Sequence, residues 1–254
     1  MLGLGNTLSG GIVPTAAGFE DKYSLSFDGS DDYVDLDSAA SDMPSATGSI
    51  SFWVKFTGSS SKYIFEIKAD GNNNIVGAYN TFGEYAWVAV TAGGTWKGSN
   101  LGIGQELEGD GEWHHIVMTW VDASGDGELI CYFDGDQDGV QTNTVTGLGT
   151  WSGTPSEFSL GRLNAHGSSP MEGNINDFAV WSSVLTSAEA AAIYNSGTPI
   201  DLTEDSGDYA SSSDLVGYWK FEENTGTTVA DSSGNSNDGS LESGTAFDSD
   251  TPSN

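Results

Sequence analysis

In Gly48-Ser-Ile-Ser-Phe-Trp-Val-Lys-Phe56 the apolar residues return at every second position. Ile50, Phe52, Val54 and Phe56 fall on one face and Trp53 on the other. That is the period of a strand laid over a core. Similar short apolar runs, separated by turn residues, extend in both directions. Upstream, Phe27, Tyr33, Val34 and Leu36 flank the turn Asp28-Gly-Ser-Asp-Asp32. Downstream come Tyr63-Ile-Phe-Glu-Ile67, Glu84-Tyr-Ala-Trp-Val-Ala-Val90, Trp113-His-His-Ile-Val-Met-Thr-Trp120, Leu129-Ile-Cys-Tyr-Phe133, Phe158-Ser-Leu-Gly161 and Gly173-Asn-Ile-Asn-Asp-Phe-Ala-Val-Trp181. Many short strands between frequent turns predict an all-β sandwich or barrel. One short helix is expected near 186–195: Thr186 or Ser187 caps it, Glu189 lies in its first turn, and Asn195-Ser-Gly197 ends it.

The bulk composition agrees. Eight Trp, eleven Phe and nine Tyr in 254 residues predict a core rich in aromatic area, and 35 glycines suit many tight turns. Seven basic residues against 37 acidic ones give a net charge of −30. Such a surface repels nucleic acid and anionic membranes and favours cations. It also suits a salty medium, where self-repulsion is screened. Cys131 sits in an apolar strand pattern and reads as a buried structural thiol. Met1-Leu-Gly-Leu-Gly-Asn-Thr-Leu-Ser-Gly-Gly11 has neither the charge nor the apolar run of a secretory leader, and no stretch is long enough to span a membrane.

Several pieces together resemble the laminin-G-like branch of the concanavalin A-like proteins. They are Ser24-Leu-Ser-Phe-Asp-Gly-Ser-Asp-Asp-Tyr-Val34, Ser49-Ile-Ser-Phe-Trp-Val54, Glu112-Trp-His-His-Ile-Val117, Tyr132-Phe-Asp-Gly135, and Gly173–Trp181 followed by Leu185-Thr-Ser-Ala-Glu-Ala190. The resemblance implies a two-sheet antiparallel jelly-roll sandwich. Leu215-Val-Gly-Tyr-Trp-Lys-Phe221 resembles that family's opening strand, which ordinarily precedes a segment like Tyr23–Leu36. Here it follows, as in a circularly permuted domain. The expected organisation is an extended arm over 1–20, a sandwich over 21–241 and a flexible tail over 242–254. Within the sandwich, 199–214 reads as a linker and 215–221 as a returning strand. Trp219 and Phe221 should then share a core with Phe27, unless the strand is donated to a neighbouring subunit in a homo-oligomer.

The Gly-rich arm, the laminin-G-like body and the late Leu-Val-Gly-Tyr-Trp segment also resemble proteins of marine tailed bacteriophages. That resemblance implies a non-enzymatic virion surface protein, a capsid decoration or a tail component, docked on other virion proteins through residues 1–20 and facing host glycans. The alternative is a calcium-dependent carbohydrate-binding module of an extracellular protein.

Site chemistry follows the same two lines. Asp231, Asn235 and Asp238, in the loop Asp231–Gly239, offer oxygen ligands for calcium, joined by Asp28 from the strand that normally follows; the competing reading is a loop held by Asx turns. Asp134-Gly-Asp-Gln-Asp-Gly139 and Asp122-Ala-Ser-Gly-Asp-Gly127 copy part of a calcium loop but read first as hairpin turns. Trp96 and Trp151, in Gly-rich loops, are candidates to stack on sugar rings, with packing over a sheet edge as the competing reading. Trp53, Trp120, Trp181 and Trp219 read as core. Glycoside hydrolysis is a distant third: Glu108-Gly-Asp-Gly-Glu112 has alternating carboxylates, but on a Gly-rich turn rather than a strand. His114 and His115, adjacent on one strand, point to opposite faces and do not make one metal site.

Overall fold

The computed structural model describes residues 19–58, 61–80, 85–101, 111–121, 127–136, 144–163 and 169–253. The greater part of the expected arm, Glu108, His166 and the turn residues 122–126 and 137–139 lie outside them.

In chain order the strands are β1 (Ser24–Asp28), β2 (Tyr33–Asp35), β3 (Thr47–Phe56), β4 (Lys62–Asp70), β5 (Asn73–Asn80), β6 (Tyr85–Ala92), β7 (Thr95–Leu101) and β8 (His114–Val121). Then come β9 (Gly127–Phe133), β10 (Thr144–Leu148), β11 (Glu157–Leu160), β12 (Glu172–Trp181), helix α1 (Ser187–Tyr194), β13 (Leu215–Trp219), β14 (Thr228–Val229), β15 (Gly239–Glu242) and β16 (Ala246–Asp248). They form two eight-stranded antiparallel sheets. The first runs β10-β9-β8-β3-β12-β1-β16 with β13 also against β12; the second runs β14-β15-β2-β11-β4-β5-β6-β7. The two-sheet sandwich with one short helix is the expected architecture.

The alternation read in β3 decides the layering. Ile50, Phe52, Val54 and Phe56 enter the core between the sheets, where Phe52 stacks on Phe178 at 5.6 Å. Ser49, Ser51 and Trp53 face the opposite side of the first sheet. There a second apolar layer forms, in which Trp181, Leu185, Ile193, Leu202, Tyr209 and Tyr218 pack together. α1 and the chain after it cover that layer. The helix starts at a full capping box: Thr186 accepts from the Glu189 backbone N–H while the Glu189 carboxylate accepts from that of Thr186. It stops at Asn195, in the left-handed region at φ 45°.

β13 pairs with the second half of β12 (Phe178↔Trp219), and β1 pairs with the first half (Ile175↔Leu25) on the same edge. The two short strands therefore lie end to end. The Glu222 carboxylate spans the join by accepting from the Lys22 and Tyr23 backbone N–H groups. Trp219 and Phe221 are fully buried in the same core as Phe27, as expected of a returning strand.

Two expectations fail. Residues 199–214 are no loose linker, because Leu202 and Tyr209 are buried and the Trp181 indole donates to the Tyr209 hydroxyl at 3.1 Å. Nor are 242–253 a flexible tail. β16 pairs with β1, Asp250 bonds Lys55 and Trp113, and Thr251 is buried against Asp21. Their few apolar residues hid this, since the segment is held by backbone and polar side-chain bonds.

Candidate functional site: an aromatic groove on the second sheet

The outer face of β4–β7 can be built from register alone. Cross-strand partners place Tyr63, Ala78, Trp87 and Asn100 in one row, and Glu66, Val76, Ala89 and Gly98 in the next. Lys68, Asn74, Thr91 and Trp96 form the third. Partners in a row stand roughly 5 Å apart, and the residues between them along each strand point into the core. The middle row is small, and its neighbours are large. The result is a groove of about 170 Å³ lined by Tyr63, Glu66, Asn74, Val76, Trp87, Ala89, Thr91, Trp96 and Leu163. Tyr63 and Trp87 meet edge to face at 6.3 Å and make a ridge. Beyond the ridge lies a second groove of about 220 Å³ that includes Ser61, Lys62 and Ser169.

Trp96 is the exposed large apolar side chain among the described residues, at 60%. It does not sit in a loop, as its Gly-rich surroundings suggested. Gly93 and Gly94, with φ of 56° and 79°, make a two-residue turn between Ala92 and Thr95, so β7 begins one residue before the indole. The ring lies over Gly98: a Cβ there would come within 2.7 Å of its Cζ2 and Cη2 atoms. One side is thus bedded on backbone, and Trp87 braces it at 6.4 Å. A flat, braced, solvent-facing indole can stack on the apolar face of a pyranose ring. Beside it, the Asn74 amide donates to Glu66 Oε1 at 3.2 Å, and the Glu66 residue is only 3% exposed. With Thr91 they supply hydroxyl-binding polar groups next to the aromatic surface. Alternation alone could not have indicated this set, because an irregularity between Tyr63 and Phe65 brings Tyr63 and Glu66, three residues apart, onto one face.

The other expected ligand-stacking residue is placed differently. Trp151 is in a loop but only 8% exposed, packed in the core, with its indole N–H donating to the Gly153 carbonyl. Its bulk closes the sandwich, and the competing packing reading fits it.

Of the four expected calcium ligands, Asp28 lies apart from the loop that carries Asp231, Asn235 and Asp238. Asp28 lies opposite Glu172 while the Asp231 loop meets β13 at Trp219, opposite Phe178. Six residues of β12 separate them, roughly 20 Å of strand. Both Asp231 carboxylate oxygens already accept bonds from Tyr218, Ser233 and Asn237. Asn235 donates to the Leu215 and Val216 carbonyls, and Asp238 accepts from the Asp231 N–H. The 231–238 loop is therefore the Asx-held turn. Asp28 instead joins Asp31 and Asp32, with one carboxylate oxygen of each within 4.8 Å of the others. Burial pushes the Asp32 carboxyl up, partly offset by the bond it accepts from the Asp28 N–H.

The remaining candidates are structural. His114 contacts the Asp134 carboxylate at 2.9 Å and stacks on Phe133. His115 is buried on the opposite face, where burial holds it neutral with a pKa near 3 and Nε2 meets Ser51 Oγ at 2.7 Å. Asp134 also closes its turn by accepting from the His115 N–H. Burial raises the Cys131 thiol to about 12, the state of an inert core residue.

Residues 28–191 match the family model of the concanavalin A-like lectin/glucanases superfamily. Among curated proteins, a calpain-type cysteine protease of Arabidopsis thaliana is 29% identical over 133 residues, which is 46% of this chain and 6% of the protease. Among solved structures, a protein from Bacteroides ovatus assigned to carbohydrate binding aligns with a TM-score of 0.57 at 15% identity, over 91% of this chain and 60% of that one. A heptameric pentraxin of Limulus polyphemus aligns at 0.50 with 15% identity, over 68% of this chain and 82% of that one. The sialidase carbohydrate-binding domain of Ruminococcus gnavus, bound to sialyllactose, also reaches 0.50, at 13% identity over 67% of this chain and 96% of that one. At these identities the likeness concerns the fold. The chain spans 60% of the Bacteroides protein and 6% of the Arabidopsis one.

Proposed function

This chain belongs to the concanavalin A-like lectin/glucanases superfamily, and from that premise we propose that it is a carbohydrate-binding module whose ligand stacks on Trp96 in the β4–β7 groove. The observation that carries the reading is the indole itself: exposed, bedded on Gly98, and sharing one groove with Glu66, Asn74 and Thr91. Binding rather than hydrolysis is favoured by the lining, which among the described residues holds a single carboxylate. Hydrolysis by the usual route needs two, about 5–9.5 Å apart. Glu112 precedes β8 in the other sheet, away from this groove.

A glycan array followed by calorimetry tests this. Trp96→Ala should weaken binding at least about thirtyfold, the cost of removing a hot-spot anchor, with an unchanged melting temperature. Wild-type affinity in that variant would sink the groove reading.

Calcium, which the family resemblance implies, would be held by Asp28, Asp31 and Asp32, whose carboxylates converge, rather than by the 231–238 loop, where both Asp231 oxygens already accept from Tyr218, Ser233 and Asn237. Display on a virion through residues 1–20 is a proposal about where the module is mounted, motivated by the Gly-rich arm. Mass spectrometry of purified particles decides it: absence of the chain ends that reading and leaves the glycan reading standing.

A further inference from the structure

The charges around the groove say more about its ligand than its shape does. Four of the chain's basic residues belong to the second sheet or its loops; Lys68 shares the outer face with Asn74 and Trp96, but none of the four lines the groove. The Lys68 ammonium sits 2.9 Å from both Glu157 carboxylate oxygens. Lys97 is opposite Val90 in register, so it alternates with Trp96 and points to the other face of β7. The Arg162 guanidinium lies 3.2 Å over the Tyr33 ring. Lys62 lines the second groove, beyond the ridge, and its ammonium donates to the Gly29 carbonyl at 3.3 Å. The other three pair with Glu20, Asp250 and Asp201 outside this face. The charged side chain in the lining is Glu66. Over the whole chain, carboxylates outnumber cations 37 to 7.

We infer that the Trp96 groove takes an uncharged saccharide and rejects sugars bearing carboxylate or sulfate. The inference rests on the glycan-binding reading. An anionic substituent in the groove would share it with the Glu66 carboxylate, three strands across from Trp96, and no lysine or arginine among the described lining residues would compensate it. It would also approach through the field of a molecule of charge −30, which slows encounter at low ionic strength. A neutral pyranose meets neither barrier. It keeps the stacking surface of Trp96, and its hydroxyls can donate to Glu66 or bond Asn74 and Thr91. Neutral binding should therefore be nearly independent of salt.

Matched probes test this on the full chain: lactose against 3′-sialyllactose, and a methyl-esterified oligogalacturonide against its free acid. At about 20 mM NaCl the neutral member of any pair that binds should be favoured at least about tenfold. The gap should narrow in about 0.5 M NaCl, while the neutral affinity stays within about twofold. Glu66→Gln, which keeps shape and the Asn74 contact, should also narrow the gap at low salt, and its melting curve shows whether the fold is intact. Equal or tighter binding of the acidic member at low salt overturns the inference. So does a preference that neither salt nor Glu66→Gln changes. If no saccharide of either kind binds and Trp96→Ala alters nothing, the glycan reading itself has failed and this inference falls with it.

Discussion

Asp177 combines three costs at one residue. It is buried, it holds a left-handed φ of 47° in the bulge of β12, and its Oδ2 has no partner among the described residues. Its Oδ1 accepts from the Tyr218 hydroxyl at 2.7 Å. Burial pushes its carboxyl well above the usual range, against the Tyr218 bond and Lys220, and the charges of Asp21 and Glu222 add to the rise. Across a water-sized cavity stands His115, whose Nδ1 also lacks a partner and whose proton affinity burial lowers. The signs are opposite. Asp177 binds its proton more tightly folded than unfolded, so its contribution is full at acid pH and is lost as pH rises through its folded value. The contribution of His115 is full above its ordinary 6.5 and is lost as pH falls towards about 3. Asp177→Asn, which keeps the acceptor for Tyr218, should therefore be increasingly more stable than wild type as pH rises from about 4 towards 8, measured by urea unfolding. A constant difference across that range would show that Asp177 does not titrate as described.

At the scale of elements, β13 makes the sharpest stability claim. Trp219 packs edge to face on Phe158 at 5.6 Å, and its indole donates to the Asn237 carbonyl at 2.8 Å. Trp219→Ala should cost about 3–5 kcal/mol in denaturant unfolding, the range for a buried aromatic. A surface tail would cost almost nothing. Thr186→Ala, which removes the capping-box hydroxyl from α1, should cost about 1 kcal/mol. The sequence disclosed α1 through a cap, a first-turn acid and a Gly-bearing stop, and β13 through its resemblance to the family's opening strand rather than through alternation. It disclosed β7 poorly. Thr95–Leu101 has Trp96, Gly98 and Asn100 facing solvent and a lysine on the other side, so no apolar alternation marks it. The groove was legible only as Trp96, since the grouping of Tyr63, Glu66, Trp87 and Trp96 depends on three strand registers that local pattern does not fix. The distance between Asp28 and Asp231 was hidden for the same reason, because adjacency in the family's order is not adjacency along β12.

At the scale of the whole molecule, the net charge of −30 sets a baseline of self-repulsion. Raising NaCl from about 10 mM to 0.5 M shortens the screening length from roughly 30 Å to a few ångströms, so the melting temperature should rise. A melting temperature that falls over that range would contradict this. Added calcium should raise it further in dilute buffer, and the increment should shrink in Asp31→Asn if the Asp28–Asp31–Asp32 turn holds the ion.

The pairing of β16 with β1 has a mechanical meaning. Ser24 lies opposite Asp248, and beyond them Asp21 accepts bonds from Thr251 and Ser253. The two strands are antiparallel, and their outer ends leave the sheet side by side. A load drawn through both ends does not shear this pair but peels it, breaking one hydrogen bond at a time. Handles attached at residues 19 and 253 should register a first yielding at low force, as β16 lifts away, before the sandwich opens. A module gripped at one end and by its groove would carry the load along another path, with that seam left slack.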